Sequence, residues 1–186
     1  VHVYVEVKEE ACPMNLALTA STTAALALGD ALAIALLESR KFSPQDFAKS
    51  HPGGKLGKKL TLKVEDIMSK GKDFPFISPN TLLSKALVEI SNKGLGIVAV
   101  VDKKKLTGVF TDGDLRRTIG SKKDNHKTKI SLVMSKNVKT IQQSSLASKA
   151  IETMEKNNIY VLIVLDSKKI PVGVLRMHDL MQSGLV

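Results

Sequence analysis

Apolar residues recur along this chain in more than one rhythm. Val3, Val5 and Val7 alternate with Tyr4, Glu6 and Lys8, the period of two expected of a strand. Residues 22–38 then form an Ala/Leu run that is apolar nearly all round, and Thr19-Ala20-Ser21-Thr22-Thr23 offers several N-cap hydroxyls just ahead of it. A helix without a polar face predicts burial between layers or subunits. Ser43, Pro44 and Asp46 predict a second, short helix with cap, first residue and first-turn acid in order. After it, His51-Pro52-Gly53-Gly54-Lys55-Leu56-Gly57 reads as a loop by its Pro and three Gly, and as the junction to the remaining two thirds of the chain.

Beyond that junction one pattern is written twice. Gly108-Val109-Phe110-Thr111-Asp112-Gly113-Asp114-Leu115 returns 65 residues later as Gly173-Val174-Leu175-Arg176-Met177-His178-Asp179-Leu180. Asp66-Ile67-Met68-Ser69 returns as Leu132-Val133-Met134-Ser135, and Ser84-Lys85-Ala86-Leu87 as Ser148-Lys149-Ala150-Ile151. Small drifts in the offset are what loop insertions produce between duplicated units. Each copy predicts lead-in turn, strand, helix, strand, hairpin, strand, helix. The pieces are 74–77, 82–92, 97–101, 106–110 and 112–119 in the first copy, and 138–141, 146–156, 160–165, 171–175 and 177–181 in the second. Continuous apolar runs such as Val161-Leu162-Ile163-Val164-Leu165 suit strands covered on both faces. Two copies are expected to bury their apolar faces against each other and to leave a ligand cleft between them.

Composition narrows the partners. Of 28 basic residues 24 are Lys, the net charge is +10, and seven aromatic residues serve the whole chain. Base recognition favours Arg forks and stacking rings, so nucleic acid is not expected. The lysines sit at expected turns and solvated faces, Lys103-Lys104-Lys105, Lys122-Lys123 and Lys168-Lys169, so they read first as solvated surface, and an anionic small ligand is what the charge argument otherwise retains. One cysteine, Cys12, rules out an internal disulfide and fits a reducing cytoplasm. The apolar stretch 24–37 is 14 residues long and broken by Gly29-Asp30, too short and too polar for a membrane span. No Cys/His cluster has metal-ligand spacing, so no metal is expected.

The duplicated turn suggests a use. A strand ending at Thr111 and a helix starting near Asp112 place a hydroxyl and the Asp114 carboxylate beside free N–H groups at a helix N-terminus. Asp114 can accept from two vicinal ribose hydroxyls, Thr111 can take a phosphate or sugar oxygen, and Arg116 and Arg117 add positive charge one turn on. The alternative is that Thr111 and Asp114 simply cap the helix.

On these residues the duplicated unit resembles a tandem pair of CBS domains, whose Gly-h-x-Thr/Ser-x-x-Asp pattern binds nucleotides. Gly108, Thr111 and Asp114 match it. The second copy keeps Gly173 and Asp179 but has Arg176 in place of the hydroxyl, which puts that site in question, and His178 is a weaker contact there. Ala20-Ser21-Thr22-Thr23-Ala24, Leu28-Gly29-Asp30-Ala31-Leu32-Ala33 and Ser50-His51-Pro52-Gly53-Gly54-Lys55-Leu56-Gly57 add a further likeness, to the SIS-plus-CBS arrangement of the arabinose-5-phosphate isomerase family.

That resemblance implies an α/β fold: the tail of a SIS domain over 1–50, a linker over 51–63, and CBS domains over 64–124 and 125–186. It implies a parent enzyme interconverting ribulose 5-phosphate and arabinose 5-phosphate for Kdo and lipopolysaccharide synthesis, cytoplasmic and tetrameric. It assigns His51 to catalysis and sets Ser21, Thr22 and Thr23 at the border of the sugar phosphate, with helix capping as their alternative role. No cofactor is implied for catalysis, whereas a regulatory nucleotide (AMP, ATP or CMP-Kdo) is. A strand at the first residue with no sheet upstream implies a piece of a longer protein, inactive by itself. Two rival readings stay open: a non-catalytic ligand-sensing and oligomerisation module, or a paralogous isomerase for capsule or sugar-alcohol metabolism.

Overall fold

The computed structural model describes residues 2–51, 54–119 and 126–185 and divides into two compact units, 1–50 and 51–186. Pro52, Gly53, Lys122 and Lys123 lie outside the described residues, as does the expected boundary at 124/125. In the first unit, residues 2–7 are irregular and the expected strand does not form. Alternation alone supplies no hydrogen bonds, and none of the described strands pairs with it. Helix α1 (Ala20–Ser39) is longer than its apolar run, and its hydroxyls do not cap it: Thr19 holds the N-cap position with no side-chain cap bond. Thr22 and Thr23 donate back to the Thr19 carbonyl at 3.0 and 2.9 Å. The acceptor at this terminus is the Glu10 carboxylate, which receives the Thr19 and Ser21 N–H groups at 2.7 and 3.2 Å. Helix α2 (Pro44–Ser50) keeps to the expected plan, with Asp46 N–H donating to Ser43 Oγ at 3.2 Å and Ser43 N–H to Asp46 at 3.1 Å.

None of α1's residues is buried within its unit, and Leu26, Leu32, Ile34 and Leu36 are exposed. At 20 residues, with an 18-residue window of mean hydropathy 1.7, α1 is long and apolar enough to cross a membrane by length and composition, which the count over 24–37 missed because the helix extends past that run at both ends.

The second unit opens with α3 (Lys55–Thr61) and α4 (Val64–Ile67). Lys55, Leu56 and Gly57 are therefore helical rather than loop: Gly57 is buried, Lys58 reaches the Ser183 carbonyl at 2.9 Å, and Ser148 Oγ donates to the Lys59 carbonyl at 3.2 Å. Tertiary contact overrides the local glycine signal. Then come β1 (Ser69–Lys70), β2 (Phe76–Ile77), α5 (Leu83–Lys93), β3 (Ile97–Asp102), β4 (Lys105–Thr111) and α6 (Asp112–Ile119). The second copy repeats the order as β5 (Thr140–Gln142), α7 (Ala147–Asn157), β6 (Val161–Leu165), β7 (Pro171–Arg176) and α8 (Met177–Gln182). Helices α5 and α7 both stop at a left-handed residue, Gly94 and Asn158, which frees the chain to turn into the next strand.

The two copies exchange their lead-ins. Sheet one is β2-β3-β4, and sheet two is β1-β7-β6-β5, so the strand just before the first repeat joins the sheet of the second. Reciprocally, Ser135 ahead of the second repeat pairs with Val109 of β4, with bonds of 2.8 and 2.9 Å in the two directions. This exchange explains the glycine kept in both copies. A Cβ on Gly108 would lie 2.6 Å from Met134 Sδ and 2.9 Å from the Ser135 carbonyl; on Gly173 it would lie 2.8 Å from the Ser69 carbonyl and 2.9 Å from Met68 Sδ. Only a residue without a side chain lets the exchanged strand approach.

Strand alternation divides the apolar residues between two jobs. In β3, Val98 and Val100 face α5, Phe110 and Ile130, while Ile97 and Ala99 join Val109, Ile163 and Val174 in a core shared by both sheets. In β6, Leu162 and Val164 face Ala147, Ala150, Met154 and Leu180. Val64, from the first lead-in, belongs to that second-repeat core, and Ile130, from the second lead-in, to the first. At about 1.5–3 kcal/mol per fully buried aliphatic side chain, this mutual seating locks the two copies into one body.

Candidate functional site

The turn from β4 into α6 is built around one carboxylate. Asp114 is 4% exposed. Its Oδ2 accepts from Thr111 N–H at 2.9 Å and Thr111 Oγ1 at 2.8 Å, and its own N–H donates back to Thr111 Oγ1 at 3.3 Å. Oδ1 accepts from Ser135 Oγ at 2.7 Å and from Arg117 at 2.6 Å. Burial works to raise the Asp114 pKa, but the hydrogen bonds from Ser135, Thr111 and Arg117 outweigh it and hold the carboxyl below its usual range. Asp114 is thus an anion at neutral pH, capping α6 and fixed from a second direction by the exchanged lead-in. Sequence reasoning missed Ser135. Its signal was the recurrence of Met-Ser in both lead-ins, which betrayed the duplication but not which copy the serine serves.

Of the Asp114 partners, Arg117 is the loosest: its side chain is 71% exposed, so it can leave the carboxylate at small packing cost. Arg116 is exposed as well. A ligand hydroxyl arriving at Asp114 can therefore take over the lone pair that Arg117 now uses, while the guanidinium swings to an anionic group on the same ligand.

The second turn has the same backbone and different chemistry. Arg176 N–H donates to Asp179 Oδ2 at 2.9 Å, as Thr111 does to Asp114. The Arg176 guanidinium then forks onto both oxygens, with Nε to Oδ2 at 3.2 Å and Nη2 to Oδ1 at 2.6 Å, and Asp179 raises the Arg176 pKa in return. The guanidinium thus engages both oxygens of Asp179 from within its own turn. Beside it a groove of about 480 Å³ runs between the repeats, lined by Leu95, Gly96, Tyr160, Arg176 and the exposed His178.

The remaining expected residues are not gathered here. Ser21, Thr22 and Thr23 belong to the first unit, in the opening turn of α1. Glu10, which sequence reasoning did not single out, orders that turn. Hydrogen bonds from Ser21 and Thr19 hold its carboxyl at about 2. His51 begins the second unit with its side chain exposed, and its carbonyl accepts from Gly54 N–H at 3.3 Å. Among the described residues no group of three or more His, Cys, Asp or Glu is placed to hold a metal ion.

The exchanged lead-ins, the paired sheets and the repeated turn define a class. The CBS domain family matches residues 64–121 and 130–185, and the chain belongs to it as a tandem pair. Solved structures agree on the fold. The CBS domain protein PAE2072 from Pyrobaculum aerophilum complexed with AMP superposes with a TM-score of 0.60 over 67% of this chain and 98% of its own, at 16% identity. The CBS domain pair of protein MJ0100, in complex with 5′-methylthioadenosine and S-adenosyl-L-methionine, gives 0.57 over 66% and 94%, at 24% identity.

The whole-chain resemblance is more particular. Arabinose 5-phosphate isomerase KdsD of Pseudomonas aeruginosa is 51% identical over 181 residues, 97% of this chain and 56% of that protein. The Francisella tularensis enzyme of the same name is 51% identical over 96% of this chain and 55% of its own length, and that of Yersinia pestis 44% over 100% and 57%. The likeness to this isomerase family read from the sequence is borne out, and the chain spans a little over half the length of the curated relatives it matches.

Proposed function

We propose that this chain is the C-terminal part of an arabinose-5-phosphate isomerase, with its tandem CBS pair serving as a regulatory nucleotide sensor. The carrying observation is identity of 51% across nearly the whole chain, extending through the first unit and not confined to the CBS pair. Residues 1–50 are then the end of the SIS domain, 51–63 its connection, and 64–124 and 125–186 the two CBS domains. The apolar α1 packs against the preceding part of that domain or a second subunit. Asp30 at its middle argues against a bilayer, where a central carboxylate costs about 2.5–3.5 kcal/mol. The aldose–ketose interconversion moves a proton between C1 and C2, and His51 is the acid/base this chain contributes, in a cytoplasmic tetramer. Ser21, Thr22 and Thr23 border the sugar phosphate, in a turn ordered by Glu10.

The regulatory ligand sits at Thr111 and Asp114. Its ribose hydroxyls replace Arg117 on the carboxylate, and Arg116 and Arg117 meet its phosphate; AMP, ATP and CMP-Kdo all carry the required diol. Arg176 occupies Asp179, so one site forms per chain. Calorimetric titration with AMP, ATP, CMP and CMP-Kdo tests this reading. Asp114→Ala should weaken the ligand about tenfold to a hundredfold, as loss of charge-assisted hydrogen bonds worth about 1.5–3 kcal/mol requires. Absence of binding by all four would leave Thr111 and Asp114 as helix caps. For the enzyme, His51→Ala in the full-length protein should lower turnover of ribulose 5-phosphate about 100- to 10,000-fold, and this chain alone should show none.

A further inference from the structure

The β3–β4 and β6–β7 hairpins come together at the end of the sheets away from Thr111, and between them lies a cleft of about 640 Å³, within the range of small-molecule sites. Lys103, Lys104, Lys105, Lys136, Lys168 and Lys169 all line it, and among the described residues no acidic one does. Leu106, Val138, Leu165 and Ile170 form its apolar part. Six steps along β4 separate Lys105 from Thr111, about 20 Å of strand, so this cleft is not the place where Asp114 sits.

Two features set this cluster apart from ordinary solvated lysines. First, Lys103 and Lys104 form a two-residue turn in which both have positive φ, 44° and 68°, and Lys169 on the facing hairpin has φ 62°. Such turns favour Asn and Gly, because a side chain in the left-handed region costs roughly 1–2 kcal/mol. Three left-handed positions around one cleft carry lysine instead. Second, the duplication provides an internal control. The pseudo-equivalent groove, of about 390 Å³, is lined by Phe74, Phe76, Ile77, Ser78, Val101 and Pro171 and shares only Lys103, Lys104 and Ile170 with the first. Hairpins of this fold do not need a six-lysine cleft; one side has acquired it.

We propose that this cleft is a second ligand site, for a small molecule bearing two or more linked phosphates. Lysines from both hairpins line the one cleft, and a di- or triphosphate chain presents several linked anionic groups to them together where a single phosphate presents one.

The test is calorimetric titration of the chain with sodium tripolyphosphate, beside sodium sulfate at the same ionic strength. Saturable binding of one tripolyphosphate per chain is expected, weakened about tenfold or more in Lys136→Gln/Lys168→Gln, recovered in Lys136→Arg/Lys168→Arg, and unchanged in Asp114→Ala. That last arm separates this site from the nucleotide site, which Asp114→Ala should disable. Lys103→Asn/Lys104→Gly should weaken tripolyphosphate binding while raising the melting temperature by a few degrees, because it relieves the turn. The proposal is overturned by no saturable binding, by sulfate binding as tightly as tripolyphosphate, or by unchanged affinity in both lysine-to-neutral double variants.

Discussion

The two βα turns of the repeats share a backbone and differ in what the first residue of the turn carries. At Thr111 a short hydroxyl leaves Asp114 to be fixed by Ser135 and an exposed Arg117. At Arg176 the side chain itself clamps Asp179 through two guanidinium nitrogens. The aspartate caps its helix in both, so capping accounts for the aspartate and says nothing about a ligand. Residue 111 or 176 decides whether the carboxylate can be offered to something else. The scaffold is common to both copies, and what differs is whether the turn's own first side chain clamps the carboxylate.

If the scaffold is the shared part, equivalent core truncations should hurt equally. Phe110 and Leu175 occupy matching positions facing the helices, and both are fully buried. Phe110→Ala should cost about 3–5 kcal/mol and Leu175→Ala about 2–5 in chemical denaturation, each in one cooperative transition because the exchanged lead-ins tie the cores together. Two separated transitions in either variant would show that the repeats fold independently and break the comparison at its base.

Gly108→Ala and Gly173→Ala come next. Neither glycine has positive φ, so the cost is overlap of the new methyl with the exchanged strand, about 1–3 kcal/mol in each. A neutral result at one of them would mean that the lead-in there can move aside. The two sites would then be unequal in scaffold as well as in chemistry.

The legibility of these features in the sequence depended on their range. The order of elements in both repeats was readable because apolar period and turn residues are local, and Ser43-Pro44-Asp46 specified its own helix start. The exchange of lead-ins was not readable: Ser135 precedes the second repeat in sequence yet bridges to β4 of the first, and no local pattern says which edge a segment will join. The strand at 2–7 failed for the same reason, since alternation describes a strand that has a partner. Lys55-Leu56-Gly57 became helical through contacts with residues more than 80 positions away. In the site, Thr111 and Asp114 were legible from spacing, while Ser135, Glu10 and the lysine cleft depend on which distant segments meet.

A smaller change should reopen the closed site. Arg176→Thr removes the guanidinium from Asp179 and restores the hydroxyl found at Thr111. The backbone bond from residue 176 to Asp179 keeps the cap, so stability should fall by no more than about 1 kcal/mol. If the hydroxyl is what opens the first turn, nucleotide stoichiometry in calorimetry should rise from one toward two per chain. A stoichiometry still at one, with the fold intact, would show that residues beyond the turn also close the second site.

An effect of similar size is the pH dependence carried by Asp114. Its pKa is lowered in the folded state, whereas an unfolded aspartate titrates near 3.9. A depressed carboxylate contributes stability that is fully present above the unfolded value and is lost as pH falls through the folded one. At pH 7 Asp114→Asn should therefore cost about 1 kcal/mol, because the amide keeps one acceptor oxygen for Thr111 but loses its charge toward Arg117 and Ser135. As the pH is taken below about 4, the wild-type protein should lose stability relative to the variant, and the two denaturation midpoints should converge. A gap that stays constant from pH 7 down to pH 3 would mean that the hydrogen bonds at Asp114 hold equally well with a neutral carboxyl. Its burial, and not its charge, would then be what the first turn requires.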